Sequence, residues 1–238
     1  MPLDRVTRVL NAHVAGLEEK GTAKGKEKVV TGVIPPRGER GPRFLLEGEG
    51  DREFIRMNSN SYLGMGLRPE IVQAEQEGSE KYGAGPGAVR FISGTYDVHV
   101  ALERKLAEFH GREEAMIFSS AYATIVGVIA PLVSDQTIVI SDELNHNSII
   151  NAIRMSRPLD KAVYKHLDMG QLEEQIRAAE GRARRVLVVT DGIFSMRGDH
   201  APLDEIVAMA RRHDAAFEEG VIVMVDDSHG VGAFGATG

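Results

Sequence analysis

The sequence contains no cysteine, which excludes a disulfide framework and any zinc site built on thiolates. It has no tryptophan, and aromatic residues make up only 5% of it. A basic excess is also missing. The formal net charge is -7 and the pI about 5.7, against the clustered positive face that nucleic-acid binding requires. The paired arginines at 184–185 and 211–212 read as solvated surface at element ends. No apolar run approaches the roughly 20 residues of a membrane span, and MPLDRVTRVLNAHVAG lacks the uninterrupted apolar core of a signal peptide. No internal repeat or low-complexity segment interrupts the chain. These absences lead to the expectation of a soluble cytoplasmic protein with no nucleic-acid, membrane or metal partner.

What is present is enough for one large domain or two small ones: 238 residues, 42% of them hydrophobic. Glycine, at 26 residues, exceeds the usual share of roughly 7% and points to tight turns or close approaches of backbone to a ligand. Val6, Val9, Leu10, Val14 and Leu17 recur at helical spacing and predict an amphipathic helix over residues 4–19. Residues 20–42, with Pro35 and Pro36, read as an extended arm that must pack on something else, a second subunit being one candidate. Phe44–Leu46 and Phe54–Met57 flank EGEGDR as a short hairpin, and Pro69 opens a helix running to Tyr82. The glycine-rich YGAGPGAVRFISGTYDVH follows that helix, whereas a dinucleotide fingerprint must follow a strand. It is therefore taken as a backbone-lined loop.

From Val98 onward short apolar segments alternate with helical ones. Strands are predicted at Ala115–Phe118, Thr137–Ile140, Ala162–Tyr164, Val186–Thr190 and Val221–Val225, and helices at Val98–His110, Ser120–Leu132, His146–Arg154, Met169–Ala179 and Pro202–Arg212. This alternation predicts an α/β fold with a mainly parallel sheet covered by helices on both faces. Four of the five strands end in polar clusters, SSAY, SDELNH, DGIFSM and DDSH, which parallel strands would bring to one rim, where open α/β sheets bind ligands.

The stretch VIVMVDDSHG, residues 221–230, carries the chemistry most openly. Five apolar residues, read as a buried parallel strand, end in Asp226, Asp227, Ser228 and His229. A carboxylate at the end of a buried strand needs a partner. A cationic ring nitrogen is one, as in enzymes of pyridoxal 5'-phosphate (PLP), where an Asp keeps the pyridinium protonated. Asp226 would hold the nitrogen and His229 would reach the ring from the turn. The competing reading makes Asp227 and Ser228 the cap of a following helix and His229 a loop histidine.

The ordered motifs NSYLG, GAVRFISGT, FSSAYA, SDELNHNSII, TDGIFSMRGD and VMVDDSHGVG closely resemble the α-oxoamine synthases, from about Phe54 to Gly238. These are PLP enzymes of fold type I that condense an amino acid with an acyl-CoA and lose carboxylate. The resemblance implies PLP as cofactor, amino acid and acyl-CoA as substrates, and a homodimer. It places Ser120, Ala121 and Tyr122, with Ser119, at the cofactor phosphate, where backbone N–H groups and the helix dipole suit an anion. A plain serine N-cap is the alternative there. It also implies that His146 lies over the flat face of the ring, that Ser195 sits near the phenolic oxygen or the substrate carboxylate, and that Asn60 binds the amino-acid carboxylate. Asp226 and His229 then take the ring-nitrogen and phenolic-oxygen positions. Taken alone, His146, Ser195 and Asn60 would be a surface histidine, a turn serine and a loop asparagine. Tyr82–Arg90 and Ser93–Thr95 would lie near the acyl-CoA entrance or the partner subunit.

Two departures are visible. The family's Schiff-base lysine lies beyond the next strand after the DDSH turn, and none of Lys20, Lys24, Lys26, Lys28, Lys81, Lys105, Lys161 or Lys165 stands in for it. The expectation is an N-terminal portion, inactive alone, with a helix, arm and hairpin over 1–58 and an incomplete cofactor-binding large domain over 59–238. The segment HDAAFEEG implies a longer helix-to-strand connection. Within the family, AVRFISGT followed by His99 leans toward glycine C-acetyltransferase or 5-aminolevulinate synthase, and GDHAPL toward 8-amino-7-oxononanoate synthase. Glycine C-acetyltransferase is favoured. A PLP aminotransferase and a non-catalytic fragment are the competing functions.

Overall fold

The structure, a computed structural model, describes residues 2–25, 27–233, 235 and 236. The chain divides into two compact units, Met1–Tyr96 and Asp97–Gly238, so residues 59–96 group with the N-terminal one. Among the described residues no helix is long and apolar enough to cross a membrane.

In the first unit, helix α1 (Pro2–Glu19) precedes an antiparallel pair, β1 (Val30–Ile34) and β2 (Arg43–Leu46). The expected arm thus supplies β2's main partner. The hairpin read from Phe44–Leu46 and Phe54–Met57 is corrected to a single bridge in which Phe44 and Phe54 exchange 2.9 Å backbone bonds. Past that bridge the next hydrogen-bonding position, opposite Arg56, falls on Pro42, which has no N–H to donate to a ladder. A 3-10 turn, Tyr62–Leu67, leads into α2 (Pro69–Tyr82), which starts with proline in its first turn. The glycine-rich loop contains a π-type turn, Arg90–Gly94, in which a Cβ on Gly94 would lie 2.0 Å from the Ala88 carbonyl oxygen.

The second unit contains α3 (Asp97–His110), α4 (Ala121–Leu132), β3 (Thr137–Asp142), α5 (Asn147–Ser156), β4 (Asp160–Tyr164), α6 (Met169–Ala179), β5 (Arg185–Asp191), α7 (Leu203–His213) and β6 (Val221–Asp226). Its sheet is parallel throughout, in the order β4-β3-β5-β6. Alternate residues face opposite ways. Ile138, Ile140, Val186 and Val188 pack with Leu172 and Ile176 of α6 and Ile206 and Met209 of α7. Val139, Leu187 and Val189 pack with Ile125 and Ile129 of α4 and Ile149 and Ala152 of α5. Each such fully buried aliphatic side chain contributes about 1.5–3 kcal/mol, which makes these two layers the rigid base of the sheet's C-terminal rim.

Two strand expectations are corrected. Ala115–Phe118 pairs with no strand among the described residues, and the Ile117 N–H goes instead to Glu103 Oε1 at 3.0 Å. An apolar run becomes a strand only where a neighbour offers a ladder. Val221–Val225 is a strand, but at the sheet edge, so it is half-buried rather than buried. The HDAAFEEG connection forms a short 3-10 turn, buries Phe217, and returns through Gly220 with Asp214 Oδ1 accepting the Val221 N–H at 2.9 Å.

Candidate functional site

Parallel strands place their C-terminal ends side by side. Asp191, ending β5, is the register partner of Asp226, ending β6, and Asp142 ends β3 on the other side of β5. The ends of β3 and β5 are joined by Asn145, which is buried. Its Nδ2 donates to Ser141 Oγ at 2.8 Å and to the Val189 carbonyl at 2.7 Å, while its Oδ1 accepts the Asp191 N–H at 2.9 Å. The turn after Asn145 makes His146 the N-cap of α5, its Nδ1 accepting the Ser148 N–H at 3.2 Å. The His146 N–H reaches Asp191 Oδ1 at 3.4 Å.

A cleft of about 310 Å³ opens here, lined by Asn145, His146, Asp191, Phe194 and Ser195 among others. It brings together two of the expected residues, His146 and Ser195. Asp226 and His229 lie on the neighbouring strand end, outside the lining. Asp226 Oδ1 accepts from the Ser228 hydroxyl at 2.5 Å and the Ser228 N–H at 3.2 Å. Ser228 therefore closes a turn on Asp226 instead of capping a helix, and no helix follows it among the described residues. Asp227 is wedged between two backbones: a Cβ on Gly192 would stand 2.2 Å, and one on Gly230 2.1 Å, from Asp227 Oδ1. That close approach accounts for glycine at both places.

The rim is strongly anionic. Burial, then the charges of Asp226 and Asp142, push the Asp191 carboxyl up to about 6, against an opposing pull from the His146 N–H and ring. Burial and then Asp226 raise Asp227 as well. Among the described residues no arginine or lysine pairs with Asp191, Asp226 or Asp227. Neighbouring carboxylates at the mouth of a cleft suit a cationic heterocycle, and a flat ring against His146 fits the same geometry.

Ser120, Ala121 and Tyr122 open α4. The Ser120 hydroxyl oxygen accepts the Ala123 N–H at 3.1 Å, an ordinary N-cap, and the other N–H groups of the first turn, which have no intrahelical partner, suit an anion. Tyr122 accepts from Asn151 of α5 at 3.1 Å, which holds the two helix starts together. Asn60 belongs to the N-terminal unit, on a cleft of about 680 Å³ lined also by Lys28, Phe44 and Arg56. Sequence reasoning missed Asp191 and Asn145. Asp191 carries the same signal as Asp226, a carboxylate ending an apolar strand. Nothing local marks Asn145, whose partners lie on two other strands.

The family model described as aminotransferase class I and II matches residues 52–238. The chain is 40% identical over 229 residues to an 8-amino-7-oxononanoate synthase of Bacillus velezensis, covering 96% of this chain and 54% of that protein. With one of Bacillus subtilis it shares 46% over 187 residues, 79% of this chain and 46% of the relative. The fold is similar to that of a serine palmitoyltransferase from S. paucimobilis with PLP and myriocin bound, with a TM-score of 0.76, 28% identity, and coverage of 94% of this chain and 51% of that one. The chain spans about half the length of the relatives it matches.

Proposed function

The chain belongs to the aminotransferase class I and II family, with relatives among the α-oxoamine synthases as its motifs imply, and from that premise we propose that it forms the cofactor-binding half of a PLP-dependent enzyme joining an amino acid to an acyl-CoA. The observation that carries this reading is the pair of register-matched carboxylates, Asp191 and Asp226, beside the His146 and Ser195 cleft. Bound there, PLP supplies an electron sink for a carbanion at the amino acid's α-carbon. Asp226 holds the proton on the ring nitrogen, and Asp191 deepens the negative potential behind it. His146 covers the flat face, Ser195 and His229 serve the phenolic-oxygen side, and the N–H groups of Ser120, Ala121 and Tyr122 take the phosphate. Asn60 receives the substrate carboxylate. In the full-length protein two copies form a homodimer in the cytoplasm.

Of the substrate pairs, the relatives' names and the GDHAPL stretch weight the choice toward 8-amino-7-oxononanoate synthase over glycine C-acetyltransferase. That product carries its ketone beside an amine-bearing carbon that ends in a methyl group, the pattern left when alanine joins a long dicarboxylic acyl group. The α-carbon gives up its proton and bonds to the thioester carbonyl as CoA thiolate leaves; the amino acid's carboxylate then departs as CO₂ and a proton returns to the α-carbon.

The test is CoA release by the full-length enzyme, with alanine or glycine and with acetyl-CoA or a dicarboxylic acyl-CoA. Amino-group transfer to a 2-oxo acid without CoA release would overturn the reading in favour of an aminotransferase. Asp226→Asn is expected to retain PLP binding but to lower turnover by about a hundredfold or more, since a neutral partner no longer holds the ring proton. Near-normal turnover in that variant would remove Asp226 from its role.

A further inference from the structure

The wall of the cleft formed by Phe194, Ser195, Met196 and Arg197 is a loop, and Ser195 and Met196 on it are exposed. What holds it lies on the far side, outside the cleft. The turn closes on itself through the Phe194 N–H to the Asp199 carbonyl at 2.9 Å and the Gly198 N–H to the Phe194 carbonyl at 2.8 Å. Its outward anchor is Asp199, whose Oδ2 lies 3.2 Å from His166 Nε2 and 3.1 Å from Arg197 Nε. Although burial works against it, the bonds from His166 and the loop hold the Asp199 carboxyl below the ordinary carboxylate value.

His166 is itself held with unusual completeness. Its side chain is 8% exposed and its Nδ1 lies 3.0 Å from Asp142 Oδ1, a carboxylate with no exposure at all. Each ring nitrogen thus faces a carboxylate oxygen, and the imidazole bridges two acids. Asp142 also accepts the Leu144 N–H at 2.8 Å and the Leu167 N–H at 3.1 Å. Leu167 sits at φ 59, a left-handed conformation that a leucine adopts only when its surroundings impose it. Glu143 accepts the His166 backbone N–H at 3.0 Å and pairs with Lys165. The Phe194 ring meets the imidazole edge-on at 4.4 Å between centroids. The turn between β4 and α6 is thus bent to aim His166 at the loop.

We infer that His166 is a positioning residue: by bridging Asp142 at the rigid end of β3 to Asp199, it pins the Phe194–Asp199 loop and so fixes where Ser195 stands at the cofactor cleft. His166 itself does not line the cleft, and it reaches the cleft only through its contacts with Phe194 and Asp199. The inference rests on the PLP reading for its consequence, though not for its geometry.

The experiment uses the 238-residue chain with two readouts, hydrogen exchange along the backbone and PLP affinity. Two variants are made, His166→Ala and Asp199→Ala, the second cutting only the exposed end of the bridge. Loss of a hydrogen bond to a charged group is expected to speed exchange at Phe194 and Gly198 about tenfold or more. Protection of β3 and β5 should be unchanged in Asp199→Ala, and PLP should bind about three- to tenfold more weakly in both variants. Asp199→Asn keeps a hydrogen-bonding partner, donor or acceptor, for His166 Nε2 and should recover most of the loop's protection. Unchanged exchange at Phe194 and Gly198 in Asp199→Ala overturns the inference, as does a loss of protection spread evenly over the sheet. A loosened loop with undiminished PLP affinity overturns the positioning of the cofactor wall. If the parent chain binds no PLP at all, it is the proposed function that fails, and the clamp is judged on exchange alone.

Discussion

Asp191→Asn is the perturbation that tests the rim's electrostatics most directly. The substitution keeps size and leaves an oxygen to accept the His146 N–H, while the backbone N–H bonded to Asn145 is untouched. Only the ionisable carboxyl is lost. The folded carboxyl holds its proton up to about pH 6, whereas an unfolded one releases it near 3.8. Between those values the folded state is the more protonated, so stability falls as pH rises through the window and returns on acidification. That gap is worth at most about 3 kcal/mol, and water at the rim screens it to about 1–2 kcal/mol. Urea denaturation of both proteins across pH 4 to 8 (roughly the span of the two states' titration) measures the difference. The variant should match the parent at the acid end and exceed its stability by about 1–2 kcal/mol at the alkaline end. Saturating PLP should narrow the gap at the alkaline end, because a cationic ring stabilises the parent's ionised carboxylate and not the amide. A parent more stable than the variant at pH 8, or a difference independent of pH, would refute the argument.

Asn145→Ala removes three buried hydrogen bonds that join β3 to β5 and should cost about 2–4 kcal/mol in denaturant unfolding. Gly192→Ala drives a methyl into Asp227 Oδ1 and should destabilise by about 1–3 kcal/mol, with much of the loss recovered when Asp227→Ala is added, as a double-mutant cycle would record. Ser120→Ala removes the cap bond to Ala123 and should lower stability by about 1 kcal/mol, yet weaken PLP binding little, since the backbone N–H groups of the first turn remain to bind the anion. A large loss of PLP affinity in that variant would assign the hydroxyl to the phosphate.

How far the sequence reaches depends on the range of the interaction concerned. Helices were legible because their determinants are local. Pro69 at a first turn marks the start of α2, and both α2 and α6 run over the residues expected, Pro69–Tyr82 and Met169–Ala179. The parallel sheet and its polar rim were legible too, since apolar runs ending in DELNH, DGIFS and DDSH repeat one pattern. Strand partnership was not. Ala115–Phe118 has strand composition and no ladder, and the pairing of β2 went to the arm. Burial and pairing belong to the neighbour as much as to the segment, and the neighbour arrives through a crossover of many residues. The same reason separates the two kinds of site residue. His146, Ser195 and Asp226 stand in motifs that can be read where they lie. The register that sets Asp191 beside Asp226, the Asn145 bonds across two strands, and the bridge from Asp142 through His166 to Asp199 join residues far apart in the chain, and only the tertiary structure brings them within hydrogen-bonding distance.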